Sequence, residues 1–133
     1  MDVYIYRRTI FLRETDATGV LYFSEQLKLG LEALEAYFLT KKFTLQQMIA
    51  KGDFLMPIVH AEVDFCLPLF VGDEVEIHLS LEEIGTSSFT LKTRCLKGGV
   101  EAATTKIIHV AIGRESGKTI PVPELVLTPL RQL

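Results

Sequence analysis

The 133-residue sequence lacks the features that mark several large protein classes. It has no tryptophan and only two cysteines. Cys66 and Cys95 form neither a CxxC motif nor a disulfide framework, so a reduced cytoplasmic setting is the simplest expectation. No apolar run approaches the roughly 20 residues that a membrane span needs, and the N-terminus shows no signal-peptide pattern. We therefore expect a cytoplasmic protein without a membrane partner.

Excess positive charge and the common enzyme motifs are also missing. The chain has 14 basic and 17 acidic residues, a net charge of −3, whereas a nucleic-acid-binding protein would normally carry a basic patch. No GxSxG, Walker or GxGxxG motif is present. His60, His78 and His109 lack the spacing of metal ligands, either with each other or with the cysteines. We expect neither a nucleic-acid partner nor a metal site.

The composition is that of an ordinary globular domain. Hydrophobic residues make up 48% and charged residues 23%, a balance that can form a packed core. A chain of this length buries roughly two-thirds of its unfolded surface on folding. Because no repeat or linker interrupts the pattern, we expect residues 1–133 to form a single domain.

The periodicity of the apolar residues predicts one long helix. Ser24 is a suitable N-cap, and the helix should extend to about Leu39. Its apolar stripe is predicted to consist of Leu27, Leu31, Leu34 and Phe38. A second, short helix is predicted from the capping-box pattern at Thr44 to the stop at Gly52.

The remaining segments predict about five strands, mostly antiparallel. Residues 3–12 are rich in β-formers, and residues 57–65, 74–82 and 89–95 alternate between apolar and polar side chains. Gly98 and Gly99 predict a tight hairpin turn into a last strand at 100–112, and the prolines at 121, 123 and 129 are expected to break up the tail. Only the long helix has a large enough apolar face to cover such a sheet. The sequence thus predicts an α+β fold with the sheet around this helix.

Residues 16–24, just before the long helix, carry the best candidate for chemistry. Asp16 supplies a carboxylate, Gly19 permits unusual backbone geometry, and the helix start offers free backbone N–H groups that can stabilise a developing negative charge. These are the parts of an acyl-transfer site. However, Asp and Gly at the first and fourth positions are also typical of a β-turn. On these residues alone, either interpretation stands.

Three segments, in this order, resemble a known family. Residues 16–22 follow the pattern Asp-x-x-Gly-Val-x-Tyr, and residues 57–65 and 68–73 are similar to the next two landmarks. The family is the 4-hydroxybenzoyl-CoA thioesterase-like hotdog family, and the resemblance runs from about residue 4 to residue 111. Within it, the sequence is most similar to the 1,4-dihydroxy-2-naphthoyl-CoA thioesterases of phylloquinone and menaquinone synthesis.

The resemblance implies a hotdog fold and an acyl-CoA thioesterase that needs no metal or redox cofactor. Asp16 would be the catalytic carboxylate, acting as nucleophile or general base. The backbone N–H of Phe23, with that of Ser24 as a second candidate, would polarise the thioester carbonyl. The implied partners are a CoA thioester and further copies of the chain, in a dimer or tetramer. The implied substrate-binding residues are Gly19, Val20, Tyr22, Phe23, Ser24 and His60.

Several alternatives remain open from the sequence. His60 could be only a polar-face residue of its strand, and Glu32 is expected to be a buried or interface polar group. The turn at 85–87 lacks the basic cluster that binds CoA phosphates in some relatives, and the nearest cations are Lys92 and Arg94. The protein could also be a general acyl-CoA or acyl-carrier-protein thioesterase, or a hotdog module that binds thioesters without hydrolysis. A hotdog dehydratase is less well supported, because no histidine occurs in the Asp16 segment.

Overall fold

The computed structural model describes residues 3–42 and 45–133. Its helices are α1 (Glu25–Thr40), α2 (Leu45–Lys51) and α3 (Glu124–Arg131), and a short 3-10 turn covers Leu12–Glu14. Its strands are β1 (Tyr4–Thr9), β2 (Phe54–Leu55), β3 (Ile58–Phe65), β4 (Glu74–Ile84), β5 (Ser88–Lys97), β6 (Val100–Val110) and β7 (Ile112–Gly113). None of the described helices is both long and apolar enough to cross a membrane.

Five strands form one antiparallel sheet in the order β1-β4-β5-β6-β3, and β2 and β7 form a small separate ladder. The predicted α+β architecture is therefore confirmed. Gly98 and Gly99 connect β5 to β6 with φ angles of +56° and +78°, as a tight hairpin with a primed turn requires. β6 lies between β5 and β3 in the sheet, and its residues alternate between buried and half-buried from Ala103 to Val110.

Helix α1 packs against the sheet with a buried face rotated from the predicted one. Leu34 and Phe38 are buried as expected, but Leu27 and Leu31 lie at the margin. Gly30 explains the rotation: a Cβ added there would lie 3.3 Å from Thr93 Cγ2, so the glycine lets the helix approach the sheet closely. The buried face consists of Gln26, Leu29, Gly30, Ala33, Leu34, Tyr37 and Phe38.

Other segments also differ from the prediction. The first strand ends at Thr9, because the chain bends into the 3-10 turn before it reaches Asp16. Strand β3 has no well-buried face and lies at the edge of the sheet, so its alternation does not mark an inner and an outer side. Helix α2 is present at the predicted place, although its predicted cap, Thr44, lies outside the described residues.

The proline-rich tail forms a helix instead of an irregular segment. Helix α3 contains Pro129, which is buried, and the carbonyl oxygen of Pro129 accepts a hydrogen bond of 2.6 Å from the Tyr37 hydroxyl. Val126 and Leu130 of the same helix are almost fully buried in the core. Burial of this apolar face offsets the cost of a proline inside a helix.

Candidate active site

Asp16 lies in a hydrogen-bonded turn that fixes one oxygen of its carboxylate. Its backbone carbonyl accepts a hydrogen bond from the Gly19 N–H at 3.0 Å, and Gly19 has a φ of +81°. Asp16 Oδ1 accepts hydrogen bonds from the Thr18 hydroxyl at 2.6 Å and the Thr18 N–H at 2.8 Å. The turn interpretation is thus correct as a description of the backbone. It does not remove the second interpretation, since the turn also holds the carboxylate in place.

The same hydrogen bonds keep the Asp16 carboxylate ionised. The Thr18 hydroxyl, followed by the Thr18 and Val20 N–H groups, lowers the pKa of Asp16 below its ordinary value. The side chain is exposed, and Oδ2 accepts no hydrogen bond from the residues that the structure describes. One oxygen is therefore held by the turn, and the other is available to a ligand or a water molecule.

The loop that carries Asp16 is joined to the start of α1 by backbone hydrogen bonds. The Asp16 N–H donates to the Val20 carbonyl at 2.8 Å, and the Tyr22 N–H donates to the Glu14 carbonyl at 2.9 Å. On the other side, the Leu21 N–H donates to the Leu69 carbonyl at 2.7 Å. The carboxylate and the helix start thus belong to one tied unit, a small hairpin that is hydrogen-bonded to the segment before β4.

The start of α1 leaves backbone donors free. Neither Phe23 nor Ser24 donates its backbone N–H to an acceptor among residues 3–42 and 45–133. Ser24 is the N-cap, as predicted, but its side chain makes no capping hydrogen bond. Its φ and ψ of −73° and −18° are helical, whereas a capping serine normally has an extended backbone. These N–H groups can therefore donate to an external oxygen atom.

A cavity of about 310 Å³ lies beside the helix start. It is lined by Val20, Leu21, Phe23 and Gln26 on one side and by residues 65–69 on the other. Phe23 is 65% exposed and Tyr22 is 49% exposed, and their ring centroids lie 4.9 Å apart. Two exposed aromatic rings beside free N–H groups form a surface suited to an apolar ligand with a polar group at one end.

His60 lies apart from the other predicted site residues within one chain. It is exposed on β3, and its Nε2 atom lies 2.9 Å from Glu62 Oε1. Five residues of strand, roughly 17 Å, separate it from Phe65 at the edge of the cavity. The structure thus places Asp16, Gly19, Val20, Tyr22, Phe23 and Ser24 in one loop, but it does not bring His60 to that loop.

A buried ion-pair network beneath the loop was not found from the sequence. The Arg8 side chain is only 7% exposed; it pairs with the buried Glu14 and, at 2.8 Å, with Glu32. Glu14 also accepts a hydrogen bond from the Phe11 N–H at 2.9 Å, and Tyr6 donates to Glu32 at 2.7 Å. Glu32, which the sequence led us to expect as a buried or interface polar group, is half-buried in this network. Arg8 and Glu14 come together only through the fold, and no motif marks them.

The protonation states of the network follow from these contacts. Burial opposes the charge on Arg8, but the hydrogen bonds to Glu32 and Glu14 outweigh it and raise the pKa of the guanidinium. Burial, with the hydrogen bond to Glu32, raises the pKa of Tyr6 to about 12, so its hydroxyl remains a donor. Arg8 therefore stays charged and holds Glu14, whose carbonyl group is bonded to Tyr22.

The cations near the turn at 85–87 differ in their ion-pair partners. Arg94 forms an ion pair with Glu101 at 2.7 Å. Lys92 lies directly opposite Lys106 in the sheet, and Lys106 pairs with Glu82 at 3.0 Å.

Within the described part of the chain, no group of three or more His, Cys, Asp and Glu side chains is arranged to hold a metal ion.

Comparison with known proteins identifies the family. The profile of the thioesterase-like superfamily matches residues 11–130. A 1,4-dihydroxy-2-naphthoyl-CoA hydrolase of Gloeothece citriformis is 36% identical over 132 residues, which cover 97% of this chain and 92% of that protein.

Solved structures agree with this result. A 1,4-dihydroxy-2-naphthoyl-CoA thioesterase from Synechocystis has a TM-score of 0.93 and 29% identity, covering 99% of this chain and 98% of its own. A gentisyl-coenzyme A thioesterase has a TM-score of 0.82 and 27% identity, covering 92% and 98%. The predicted hotdog fold is confirmed, and the chain belongs to the thioesterase-like superfamily.

Proposed function

We propose that this protein is an acyl-CoA thioesterase that hydrolyses an aromatic CoA thioester, with 1,4-dihydroxy-2-naphthoyl-CoA as the foremost candidate. The observation that carries the proposal is the tied unit of Asp16 and the start of α1. It combines an ionised carboxylate with two backbone N–H groups, and among the described residues one carboxylate oxygen has no donor and neither N–H has an acceptor. Thioester hydrolysis needs both a base or nucleophile and a donor for the oxyanion.

In the proposed mechanism, the thioester carbonyl oxygen accepts hydrogen bonds from the N–H groups of Phe23 and Ser24. Asp16 then acts in one of two ways. As a nucleophile, its free oxygen attacks the carbonyl carbon, expels the CoA thiolate and leaves a mixed anhydride that water hydrolyses. As a general base, it removes a proton from a water molecule that attacks the same carbon. Both routes require the ionised carboxylate, and the lowered pKa of Asp16 favours that form.

The proposed substrate class rests on the exposed rings and on the relatives. Tyr22 and Phe23 can stack on a flat aryl group next to the carbonyl donors. All three similar proteins described above are named for hydroxylated aromatic thioesters, two for 1,4-dihydroxy-2-naphthoyl-CoA and one for gentisyl-CoA. The same rings would also pack against an aliphatic chain, which makes a general acyl-CoA thioesterase the second candidate.

We further propose that the working unit is a homo-oligomer, a dimer or tetramer, joined through β3. This strand pairs with β6 on one side only, and it exposes Ile58, Val59 and Phe65. An exposed, apolar edge strand favours pairing with another chain. If two copies of β3 pair antiparallel about a twofold axis, His60 of one copy approaches the Phe65 end of the other. His60 would then reach the cavity beside α1 across the interface.

The free thiols fit the proposed cytoplasmic location. Cys66 is exposed and Cys95 is buried, and neither forms a disulfide. Persistent free cysteines are typical of a reducing compartment.

The experiment that tests the proposed function is a comparison of kcat/KM for 1,4-dihydroxy-2-naphthoyl-CoA, 4-hydroxybenzoyl-CoA and straight-chain acyl-CoAs. Specificity is measured by this ratio. The proposal predicts a preference of tenfold or more for the dihydroxynaphthoyl thioester, about 1.4 kcal/mol in transition-state binding. A preference of tenfold or more for a straight-chain acyl-CoA would overturn the aryl assignment, but the protein would still be a thioesterase. A protein that binds these thioesters but hydrolyses none would be a binding module.

A further inference from the structure

A second cavity, of about 430 Å³, lies between α1, α2 and the sheet. It shares no lining residue with the cavity beside the start of α1. Its interior is formed mainly by apolar side chains, among them Leu34, Phe38, Met48, Met56 and Phe89. Its volume falls in the usual range for small-molecule sites, and such sites combine apolar walls with a few polar groups.

The polar group inside this cavity is His109 on β6. It is only 7% exposed, and its ring stacks on Phe89 with 4.9 Å between the centroids and 9° between the planes. His109 Nδ1 is enclosed and has no hydrogen-bond partner, the one such side-chain atom found among residues 3–42 and 45–133. Nε2 also lacks a partner in the described part of the chain, but it is not fully enclosed. Among the described residues the buried imidazole thus has no partner on either nitrogen, and a ligand in the cavity can reach it only through Nε2.

The ring of His109 is neutral in this environment. Burial lowers the pKa of His109 to about 4. A neutral imidazole has one nitrogen that donates and one that accepts. Because Nδ1 is enclosed, Nε2 is the nitrogen open to a ligand, and whichever nitrogen carries the proton, Nε2 can hydrogen-bond to a hydroxyl group, which both donates and accepts.

Charged side chains surround the opening of the cavity. Lys28, Glu32 and Glu35 line this opening, and they differ in their ion-pair partners. Lys28 pairs with Glu25 at 3.2 Å, and Glu32 pairs with Arg8, whereas no pairing partner of Glu35 is seen among the described residues. The remaining negative charge would repel an anionic ligand. The cavity is therefore suited to an uncharged molecule.

We propose that this cavity binds a neutral hydroxyaryl ring, of the naphthol or phenol class, whose hydroxyl group hydrogen-bonds to His109. The ring would lie among Phe38, Phe89 and the two methionines, since aromatic faces and thioether sulfur both pack well against a flat ring. The site goes beyond the proposed function, because it requires neither a thioester nor Asp16.

The first test compares two small ligands of similar shape, 1-naphthol and 1-methylnaphthalene, by titration calorimetry or fluorescence. We expect the wild-type protein to bind 1-naphthol about tenfold more tightly, the usual gain from a buried hydrogen bond. His109→Phe should keep the stacking on Phe89 and lose this preference. Asp16→Asn should bind 1-naphthol as the wild type does. Absence of 1-naphthol binding by the wild type, or an unchanged preference in folded His109→Phe, would overturn the proposal.

Two further measurements keep the test valid if His109→Phe folds poorly. Met48→Trp should fill the cavity and abolish binding of both ligands. Ile49→Trp, on the exposed side of the same helix, should leave binding unchanged. In the wild-type protein, the imidazole ¹⁵N chemical shifts of His109 should move much further when 1-naphthol is bound than when 1-methylnaphthalene is bound, because only 1-naphthol can form the hydrogen bond. Identical shifts with both ligands would contradict the assigned hydrogen bond.

Discussion

The backbone carbonyl of Glu14 accepts a hydrogen bond from the Tyr22 N–H at 2.9 Å, which ties the segment before Asp16 to the segment before Phe23. The Glu14 side chain is itself held by Arg8 and by the Phe11 N–H. The position of the candidate catalytic loop thus depends on an ion pair buried beneath it. Arg8 need not touch a substrate to influence the geometry of the site.

The first prediction concerns the stability that this ion pair provides. Arg8→Met should lower the free energy of unfolding by about 3–5 kcal/mol, because it leaves the carboxylate of Glu14 buried without its partner. Arg7→Met is the matched control, since Arg7 is 68% exposed and its pair with Glu76 lies at the surface. The control should cost about 1 kcal/mol or less. Urea unfolding measures both, and equal losses in the two variants would contradict a structural role for the Arg8 network.

The second prediction concerns the acidic limb of the pH profile. The Thr18 hydroxyl is the main cause of the lowered pKa of Asp16, so Thr18→Val should raise that pKa. As the pH is lowered, activity that depends on the ionised Asp16 carboxylate should therefore begin to fall at a higher pH in Thr18→Val than in the wild type. Measurement of kcat/KM from neutral to acidic pH will show the shift.

Thr15→Val is the control for this shift. Thr15 lies in the same loop, but its hydroxyl donates to the Leu12 carbonyl at 2.8 Å and is not among the donors to the Asp16 carboxylate. Its acidic limb should coincide with that of the wild type. If the Thr18→Val limb also coincides with the wild type, the ionisation of Asp16 does not control the reaction.

The third prediction concerns assembly. Light scattering at micromolar concentration should show a dimer or a larger species. Val59→Asp with Phe65→Asp should shift the protein toward smaller species, because both side chains are exposed on β3 and a charge there opposes apolar contact between edge strands. Leu125→Asp, at an equally exposed position on α3, should not change the assembly. A wild-type protein that is active as a monomer of 14.9 kDa would refute the proposed interface.

The sequence predicted those parts of the fold that depend on local patterns. Alternation of apolar and polar residues marked β4 and β5, and the pair Gly98–Gly99 marked the hairpin that follows. The helix phase was predicted less well, because the rotation of α1 depends on the contact of Gly30 with Thr93 on the sheet. Similarly, Pro129 indicated a broken tail, whereas burial against the core stabilises a helix there.

The candidate site divides in the same way. Asp16, Gly19 and Ser24 lie within nine residues, so their association could be predicted from the sequence and from its resemblance to a family. Arg8 and Glu32 are 24 residues apart, and only the packing of α1 beside β1 brings them together. His109 was visible only as a histidine without metal-ligand spacing. Along this part of the chain His109 alternates with two apolar residues, Ile107 and Ala111, which are both buried. That alternation was the signal in the sequence that His109 faces inward.

The most direct test of the central claim is the release of CoA from 1,4-dihydroxy-2-naphthoyl-CoA by the wild type and by Asp16→Asn. Asparagine can accept the hydrogen bonds of the turn, so circular dichroism and thermal unfolding should barely change. We expect kcat to fall by ~10²–10⁴ in Asp16→Asn, the usual scale for removal of an acid-base group. Asp53→Asn, in an exposed loop, should retain wild-type activity. A well-folded Asp16→Asn protein with near-normal turnover would show that Asp16 is not the catalytic carboxylate.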